Sequence, residues 1–355
     1  MEIKRAGKEN FEKISVFCRR ISGGNAFDEI SLRMIRGILK HSERLPERME
    51  LLPCIVLEEE EIKAFFILIS TREPKEGMQI AFLNFVREER VLEFLLRFAK
   101  QRARKKGIEK LIAGVNIHMH YGFGILEDHF DLPPSFGSSH HPPYYVQYLE
   151  KYAACSQKLY SYRSEAGELR RKILEADQKT EGFEIRRADF RSPERTAYLY
   201  SEIGRRAYEN QAYYSELKKE EARELLEGLK LFLKDENLLF AFFEGKPAGY
   251  LLWYPDFNQL LDPGEKIGLG TLLKYKLRPE LIHGLKIADI AVIPKFQKRG
   301  AAYALAKYCC GLDWSGYREV KTAAILESNR MGIRMAERFF ENRDKTYRVF
   351  EIEVS

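Results

Sequence analysis

Residues 292–302 carry the pattern Val-x-Pro-x-x-Gln-x-x-Gly-x-Ala between an apolar strand pattern and an alanine-rich helix pattern. Gly300 and Ala302 have small side chains, so a ligand can approach the backbone closely where the helix begins. The free N–H groups of a first helical turn and the helix dipole attract an anion there. Lys298 and Arg299 add two fixed positive charges. The stretch therefore predicts a binding site for a phosphate-bearing ligand.

A second motif follows at residues 323–340, AAILESNRMGIRMAERFF, in which Asn329 is placed to cap the next helix. The two motifs together resemble the coenzyme A pyrophosphate loop and the following Asn-containing motif of the GNAT acyltransferase superfamily. The segments DLPPSFGSSHHPPYYVQYLEKY, YPDFNQLL and KTYRVFE resemble a subfamily of bacterial tandem GNAT proteins. We therefore predict an α/β protein with mixed sheets, built from two tandem GNAT folds.

The resemblance implies acetyl-CoA, or coenzyme A with another acyl group, as a cofactor of the second half of the chain. It implies that the strand backbone before the turn contacts the pantetheine arm. The backbone of the first helical turn is implied to hold the pyrophosphate, and the motif Asn to lie beside the pantetheine. The implied cofactor-binding residues are Ile290, Ala291, Val292, Gln297, Lys298, Arg299, Gly300, Ala301, Ala302, Tyr303 and Asn329.

Acyl transfer from a thioester needs a deprotonated amine, donors for the oxyanion and a proton for the leaving thiolate. In the superfamily that the chain resembles, a Glu on the fifth strand and a Tyr after the motif Asn often transfer these protons. Ala324 and Ala336 stand at those positions. The candidates that could replace them are Asp289, Glu327 and Tyr347. Each also has a purely structural interpretation, as a sheet residue, a helix cap and a core residue respectively.

The expected positions of these side chains follow from strand geometry. On a fifth strand that ends at about Ser328, Glu327 would face the opening between the fourth and fifth strands. Tyr347 would meet the same opening from the closing strand. Trp253 and Tyr254 stand on the third strand, where acceptors often bind in the superfamily that the chain resembles. Core packing is the alternative interpretation of both aromatic residues.

The elements that position these residues occur twice along the chain. Residues 52–70 and 236–255 each show two apolar, β-rich runs around a short polar turn, which is the signature of a hairpin. Each hairpin is preceded by a strand and a helical stretch and followed by a strand, a helix and another strand. We predict a degenerate GNAT-like domain over residues 1–165, a connector helix over 166–182 and a GNAT domain over 183–355.

The first copy lacks the basic turn. Glu88 and Glu89 stand at the start of its predicted helix, where carboxylates would repel a pyrophosphate. We therefore expect the first domain to bind no coenzyme A, and to serve as a scaffold or as one wall of a substrate cleft.

The composition and charge of the chain limit the kinds of partner that it is expected to bind. The chain has 355 residues and a formal net charge of +6, without an apolar run long enough for a membrane helix. Its scattered cysteines indicate reduced thiols of a cytoplasmic protein. The densest basic run, residues 97–107, fits the solvated face of an amphipathic helix. His118 and His120 lack the acidic or Cys neighbours of a metal site. We expect a cytoplasmic location without nucleic-acid, membrane or metal partners, and leave the oligomeric state open.

The leading functional hypothesis is an acyl-CoA-dependent N-acetyltransferase that acts on an unidentified small-molecule or peptide amine, with its active site in the C-terminal domain. One alternative is a non-catalytic acyl-CoA-binding or regulatory protein, which Ala324 and Ala336 favour. Another is an aminoacyl transferase of the peptidoglycan-bridge type, which the intact coenzyme A turn disfavours.

Overall fold

The computed structural model describes residues 1–23, 27–40, 49–71, 77–262, 265 and 267–354. The chain forms two compact units: the first contains Met1–Tyr160, Leu261–Ile267 and Lys345–Ser355, and the second contains Ser161–Leu260 and Gly268–Asp344. This division differs from the predicted boundaries at 165 and 182. The predicted connector lies inside the second unit, and residues 345–355 lie inside the first.

The elements of the first unit are β1 (Glu2–Arg5), α1 (Phe11–Ser22), α2 (Phe27–Lys40), β2 (Met49–Glu58), β3 (Glu61–Thr71), β4 (Met78–Phe85), α3 (Glu89–Lys105), β5 (Lys110–Ala113), β6 (Ile125–Leu126) and α4 (Tyr144–Leu149). The strand β7 (Cys155–Glu165) then crosses from the first unit into the second.

The elements of the second unit are α5 (Ala166–Glu175), β8 (Phe183–Arg187), α6 (Pro193–Tyr208), α7 (Lys219–Leu229), β9 (Leu238–Phe243), β10 (Lys246–Pro255), α8 (Leu269–Leu277), β11 (Gly284–Val292), α9 (Pro294–Gln297), α10 (Ala301–Cys310), β12 (Glu319–Thr322), β13 (Ile325–Leu326) and α11 (Arg330–Phe339). The strand β14 (Asn342–Glu353) returns the chain to the first unit.

The sheet of the first unit has the strand order β1-β2-β3-β4-β5-β14. Its one parallel pair among the described residues is β4 with β5, in register from Met78 opposite Leu111 to Ile80 opposite Ala113. The pairing of β14 with β5 is antiparallel and starts at Phe350 opposite Ala113. The helix α3 packs its apolar face on this sheet. Residues that follow the whole second unit in sequence therefore complete the first sheet.

The sheet of the second unit contains residues 161–165 of β7, followed by β12, β11, β10, β9 and β8. The parallel pair is β11 with β12, from Gly284 opposite Glu319 to Ile287 opposite Thr322. The helix α6 packs on β10 and β11, and α10 packs on β8 to β11. The predicted connector is a packed element, because α5 contacts α10, α11 and β12.

Both predicted hairpins are confirmed, and their turns have the same backbone conformation. Glu59 and Glu60 have φ angles of 49° and 66°, and Glu244 and Gly245 have φ angles of 49° and 73°. Two successive residues with positive φ match the right-handed twist of the flanking strands, so the turn closes without splaying them. The internal repeat is thus visible at the level of single turns.

Two further observations concern the chain as a whole. All five cysteines are free thiols, and Cys155 alone among them is exposed. In the part of the chain that the structure describes, no helix is long and apolar enough to cross a membrane.

Candidate functional site

The central feature of the second unit is the place where β11 and β12 separate. Their pairing ends at Ile287 opposite Thr322, and the N–H of Ala323 makes a last hydrogen bond of 2.9 Å to the carbonyl oxygen of Ile287. Beyond that point β11 continues to Val292 and pairs with β10 alone among the described strands. Ala288 is an extra residue in that pairing, a bulge that bends the strand at the separation. One edge of β11 is therefore open over its second half.

The open edge leads to the turn between α9 and α10. Gln297 donates its side-chain N–H to the carbonyl oxygen of Val292 at 3.1 Å, which ties the turn to the strand. Gly300 precedes α10 with a φ of 92°, and no side chain caps the helix there. The N–H groups of the first turn of α10, Ala301 to Tyr303, point out of the helix start as at any α-helix N-terminus. The predicted strand, turn and helix order is confirmed.

The two cations of the turn are placed differently. The guanidinium of Arg299 lies 4.0 Å from the ring centre of Phe243. Lys298 is exposed to solvent beside it. Lys298 is therefore the cation better able to approach a bound anion, whereas Arg299 is partly engaged in a cation–π contact.

Gly300 has a role that the sequence did not reveal. A Cβ atom at this position would lie 2.1 Å from the carbonyl oxygen of Lys179, and the positive φ also disfavours any other residue. The segment before β8 therefore packs directly on the turn. Substitution of Gly300 would disturb the fold of the turn itself, so it cannot separate a ligand effect from a structural one.

A cluster of three tyrosines surrounds Asp289 on the face of β11. Tyr250 and Tyr200 donate to Oδ2 of Asp289 at 2.6 and 3.0 Å. The hydroxyl of Tyr208 lies 2.5 Å from Oδ1 and also 3.0 Å from the carbonyl oxygen of Ile290. Asp289 is half-buried beside the point where the strands separate. The structure thus places one of the predicted catalytic candidates at the opening, as the acceptor of several phenol hydrogen bonds.

The electrostatics of this cluster fix its protonation. Burial, and next the charge of Asp289, raise the pKa of Tyr200, Tyr208 and Tyr250 well above the usual value. All three phenols therefore remain protonated donors near neutral pH. Tyr200 and Tyr250 are fully buried, whereas Tyr208 is half-buried. Tyr208 is therefore the tyrosine of the cluster with the largest exposed fraction.

These tyrosines were not predicted as site residues, although the sequence contains a signal for them. Tyr200 and Tyr208 are eight residues apart on α6, so they share one helix face. Tyr250 stands opposite Ala291 in the pairing of β10 with β11, on the same sheet face as Asp289. Each tyrosine alone is typical of a core, and the carboxylate that they share becomes evident only from the strand register.

Glu327 does not have the predicted geometry. The expected strand to Ser328 is wrong, because β12 ends at Thr322 and a separate short strand, β13, covers Ile325–Leu326. The alternation that placed Glu327 toward the opening therefore does not extend to it. Glu327 is exposed in the turn before α11. The predicted cap is confirmed, since the side-chain oxygen of Asn329 accepts the N–H of Gly332 at 3.0 Å.

Trp253 and Tyr254, the predicted substrate contacts, lie in the packed interior of the second unit. Trp253 is 3% exposed and donates its indole N–H to the carbonyl oxygen of Glu236 at 2.8 Å. Tyr254 is 7% exposed and stacks near Phe257, and burial raises its pKa. The structure matches the core-packing alternative for both residues. Both side chains are too deeply buried to contact an acceptor.

Tyr347 belongs to the first unit, whereas Asp289 and Glu327 belong to the second. It pairs with Leu126 of β6 and is 2% exposed. Its Cβ lies against Gly124, where an added Cβ would approach it to 2.5 Å. The sequence placed Tyr347 in the second domain because β14 follows that domain directly along the chain.

The first unit has its own strand separation, and side chains hydrogen-bond to the exposed edge. Past the end of the β4–β5 pairing, Oδ1 of Asn116 accepts the N–H of Phe82 at 2.7 Å. The hydroxyl of Tyr145 accepts the N–H of Phe85 at 3.0 Å, and the hydroxyl of Tyr144 donates to the carbonyl oxygen of Phe85 at 2.5 Å. Both tyrosines are buried. Backbone groups that an extended ligand would use are already paired within this unit.

The helix that follows in the first unit begins with carboxylates. Glu88 is the N-cap position of α3, and Arg90 pairs with both Glu88 and Glu58. The carboxylate of Glu89 accepts a hydrogen bond of 2.5 Å from the ammonium group of Lys151. Internal ion pairs therefore occupy the helix start that corresponds to the Gly300 turn of the second unit.

The first unit contains two pairs of histidines that are close in sequence. Nδ1 of His118 lies 2.6 Å from Nδ1 of His120, and the two rings stack. Burial lowers the pKa of His140 to about 4 and that of His141 to about 3. Across the described ranges, no three His, Cys, Asp or Glu side chains are grouped so as to hold a metal ion.

Comparison with known proteins supports the same fold. Residues 198–340 match the model of the acetyltransferase (GNAT) family. A protein of Caulobacter vibrioides described as a bacterial ceramide synthase is 24% identical over 297 residues, which cover 79% of this chain and 77% of that protein.

Solved structures are similar over the whole chain. A tandem GNAT protein from the clavulanic acid biosynthesis pathway has a TM-score of 0.54 and 14% identity, with 100% of this chain and 98% of that chain covered. A GCN5-related N-acetyltransferase from Sphaerobacter thermophilus has a TM-score of 0.52 and 12% identity, with 99% and 95% covered. A probable N-acyltransferase from Enterococcus faecalis has a TM-score of 0.56 and 12% identity, with 99% and 72% covered. The predicted α/β class and tandem GNAT fold are confirmed.

Proposed function

We propose, from the premise that this chain carries a GNAT acetyltransferase domain within a tandem GNAT fold, that it transfers an acyl group from acyl-CoA to an amine in its second unit. The observation that carries the proposal is the separation of β11 from β12, whose open edge leads to the uncapped start of α10. The corresponding helix start of the first unit carries carboxylates in ion pairs, and side chains supply both donors and acceptors to its strand edge. One active unit is the simplest consequence.

The residues present fit an extended, phosphate-bearing cofactor. The backbone of β11 from Ile290 to Val292, which has no strand partner on that side, would hold the pantetheine arm, as an added strand pairs with a sheet edge. The first turn of α10, from Ala301 to Tyr303, would hold the pyrophosphate with Lys298. Gln297 acts indirectly, because its side chain fixes the turn to β11. The cofactor, when bound, supplies an acyl group activated as a thioester.

Asp289 is the residue that we assign to proton removal from the amine. Its carboxylate is at the strand separation and is held by phenol hydrogen bonds. The N–H proton of the acceptor would pass to the hydroxyl oxygen of Tyr208 while the Tyr208 proton moves to Oδ1 of Asp289. As the amine nitrogen bonds to the carbonyl carbon of the thioester, the carbon–sulfur bond would break, and the leaving thiolate would take up a proton from solvent. Glu327 is the alternative base because it is exposed beside α11, and no role is assigned to the buried Tyr347.

The acceptor is proposed to be a primary amine. The relative from Caulobacter vibrioides is described as a ceramide synthase, and a ceramide is an amide of a long-chain amino alcohol. That likeness supports amide formation, and it makes long-chain amino alcohols a rational part of the acceptor panel. Peptide amines and small polyamines complete the panel.

The test is release of free thiol from acetyl-CoA and from a long-chain acyl-CoA, measured with the full chain and each amine, with the amide product identified by mass spectrometry. Product with any amine supports the proposal. Coenzyme A binding without turnover across the panel would favour the non-catalytic binding protein, which the alanines at positions 324 and 336 also suit. Transfer from aminoacyl-tRNA instead of acyl-CoA would identify an aminoacyl transferase.

A further inference from the structure

The helix α8 exposes a face of three leucines. Leu269, Leu273 and Leu277 recur every fourth residue, so they share one helix face. Their side chains are 78%, 58% and 69% exposed, whereas Thr271 on the opposite face is 0% exposed. A helix on a protein surface normally turns its apolar face inward. Here Leu269, Leu273 and Leu277 point to solvent, whereas Thr271 is buried and Leu272 and Tyr275 are half-buried.

The apolar face continues past the end of the helix and is bordered by positive charge. Leu281, in the short segment before β11, is 40% exposed. Residues 269–281 contain two lysines and one arginine against one glutamate, which gives a formal charge of +2. Lys276 is exposed on one border of the leucine face and Lys274 lies on the other, where it donates to the carbonyl oxygen of Leu260 at 3.2 Å. Arg278 is exposed and pairs with Glu280 at 2.7 Å.

We propose that α8 docks the protein on a lipid bilayer that contains anionic headgroups. The exposed leucines of residues 269–281 would enter the boundary between headgroups and acyl chains, and the flanking lysines would stay at headgroup level. This is the pattern of helices that lie in the plane of a membrane. A helix of nine residues is about 14 Å long, which is far below the thickness of the hydrocarbon core, so it lies on the bilayer and does not span it.

The charge of the segment selects this occupant over a second copy of the chain. An isologous pair would bring two leucine faces together and with them two segments of the same positive sign, which repel each other. An anionic lipid surface offers apolar contact and opposite charge at once. The expectation of no membrane partner rested on the lack of a spanning segment, and a short interfacial helix escapes that criterion.

The first test uses vesicle co-sedimentation of the full chain, with vesicles of phosphatidylcholine alone and of phosphatidylcholine mixed with phosphatidylglycerol. We expect partition onto the mixed vesicles, weakened by salt. The triple variant Leu269→Ser, Leu273→Ser, Leu277→Ser should lose roughly tenfold of the partition coefficient for each leucine. Lys276→Glu should lose several-fold. The variants should keep the wild-type unfolding temperature because the replaced side chains already face solvent.

A matched control uses exposed leucines elsewhere in the second unit. Leu231 and Leu174 are 59% and 44% exposed, so Leu231→Ser with Leu174→Ser removes similar apolar surface away from α8. This control should bind vesicles as the wild type does, and Lys105→Glu in the first unit is the control for charge. An equal loss in the controls would overturn the proposal, as would a wild type that stays in the supernatant with both vesicle types.

The second test locates the helix in the bilayer directly. Leu273→Trp should show a blue-shifted emission on the mixed vesicles and quenching by lipids brominated on the acyl chain. The native Trp253 and Trp314 are 3% and 4% exposed, so they contribute a background that such lipids do not quench. Emission that stays unshifted while the triple Leu→Ser variant changes from dimer to monomer would assign this face to a second copy instead.

Discussion

The two units share one device, a parallel pair of strands that separates and leads to a helix, but they differ in what satisfies the freed strand edge. In the first unit, Asn116, Tyr144 and Tyr145 supply hydrogen bonds to that edge, and carboxylates stand at the start of α3. In the second unit, β11 has no strand partner on that side, Tyr208 and Gln297 donate to the carbonyl oxygens of Ile290 and Val292, and the start of α10 is basic. This fold therefore needs no cofactor to be stable where its parallel strands separate, provided that the chain supplies its own donors and acceptors.

The largest expected effect concerns the segments that complete each sheet. Fragment 183–355 lacks residues 161–165, which pair with β12, and α5, and it keeps the part of β14 that belongs to the other sheet. Fragment 161–344 has the complete second unit and, in addition, the segment 261–267 of the first unit. We expect 183–355 to aggregate or to unfold without cooperativity and 161–344 to be the more soluble of the two. Soluble yield and thermal unfolding measure this, and equal behaviour of both fragments would contradict the assignment of strands to units.

The second prediction tests the chemistry that we place in the second unit. Asp289→Asn should lower kcat by about 10² to 10³-fold, the usual range for loss of a general base, with little change in coenzyme A affinity. Tyr208→Phe should lower kcat less and alter its pH profile, because the proton route through the phenol is lost. Tyr250→Phe changes a fully buried hydroxyl of the same cluster and serves as the control. Undiminished turnover in Asp289→Asn would direct attention to Glu327.

The third prediction tests the difference in anion binding between the units. We expect calorimetry to show one coenzyme A per chain. Ala302→Glu places a carboxylate in the first turn of α10 and should weaken binding by roughly 10²-fold. The control Lys246→Glu, at the exposed hairpin turn of the same unit, should leave the affinity unchanged. Two equivalents bound by the wild type would show that the first unit also accepts the cofactor.

The fourth prediction concerns the internal donors of the first unit. Tyr145→Phe removes the acceptor for the buried N–H of Phe85, and it should cost about 1–3 kcal/mol of unfolding free energy. Tyr148→Phe, on the same short helix, is the control because that ring is only partly buried. Denaturant unfolding measures the difference. No loss beyond that of the control would mean that the side-chain bond contributes little to the separation in the first unit.

The fifth prediction concerns the pH dependence of stability. The pKa of His140 is lowered to about 4 by burial, from an ordinary value of 6.5. Below pH 6.5 the His140 side chain binds a proton in the unfolded chain, whereas in the folded chain it stays neutral down to about pH 4. The free energy of unfolding therefore falls as the pH falls through this window. The loss from His140 should be about 2 kcal/mol between pH 7 and 4. His140→Gln should flatten this part of the stability profile, and an unchanged slope would remove His140 as its cause.

Local patterns allowed most of the fold to be predicted. Hairpins, the Gly300 turn and the Asn329 cap depend on neighbouring residues, and each is found where the sequence placed it. The destination of β14 could not be read in the same way, because an alternating strand fits either sheet equally well. The break between β12 and β13 likewise has no local signal. Because of that break, the strand alternation from which the orientation of Glu327 was predicted does not extend to Glu327.

The candidate site was predicted in part for the same reason. Asp289 was a candidate because it is an ionisable residue of a predicted strand, which the sequence alone displays. The tyrosines that hold it come from α6 and β10 and meet it only through packing. Conversely, Trp253 and Tyr254 were identified by position in a family pattern, which does not indicate whether a side chain points to a pocket or to the core.

Because residues 345–353 belong to the first sheet, that sheet cannot be completed until the end of the chain has been synthesised. When β5 leaves the ribosome, the strand that will pair with it has not yet been made, and residues 161–344 must be translated first. At ordinary elongation rates this takes roughly 10 to 40 seconds. For that interval the nascent first unit carries an open strand edge and an incompletely covered core, which is the kind of surface that chaperones bind. The protein therefore completes its earlier half only after its later half has been made.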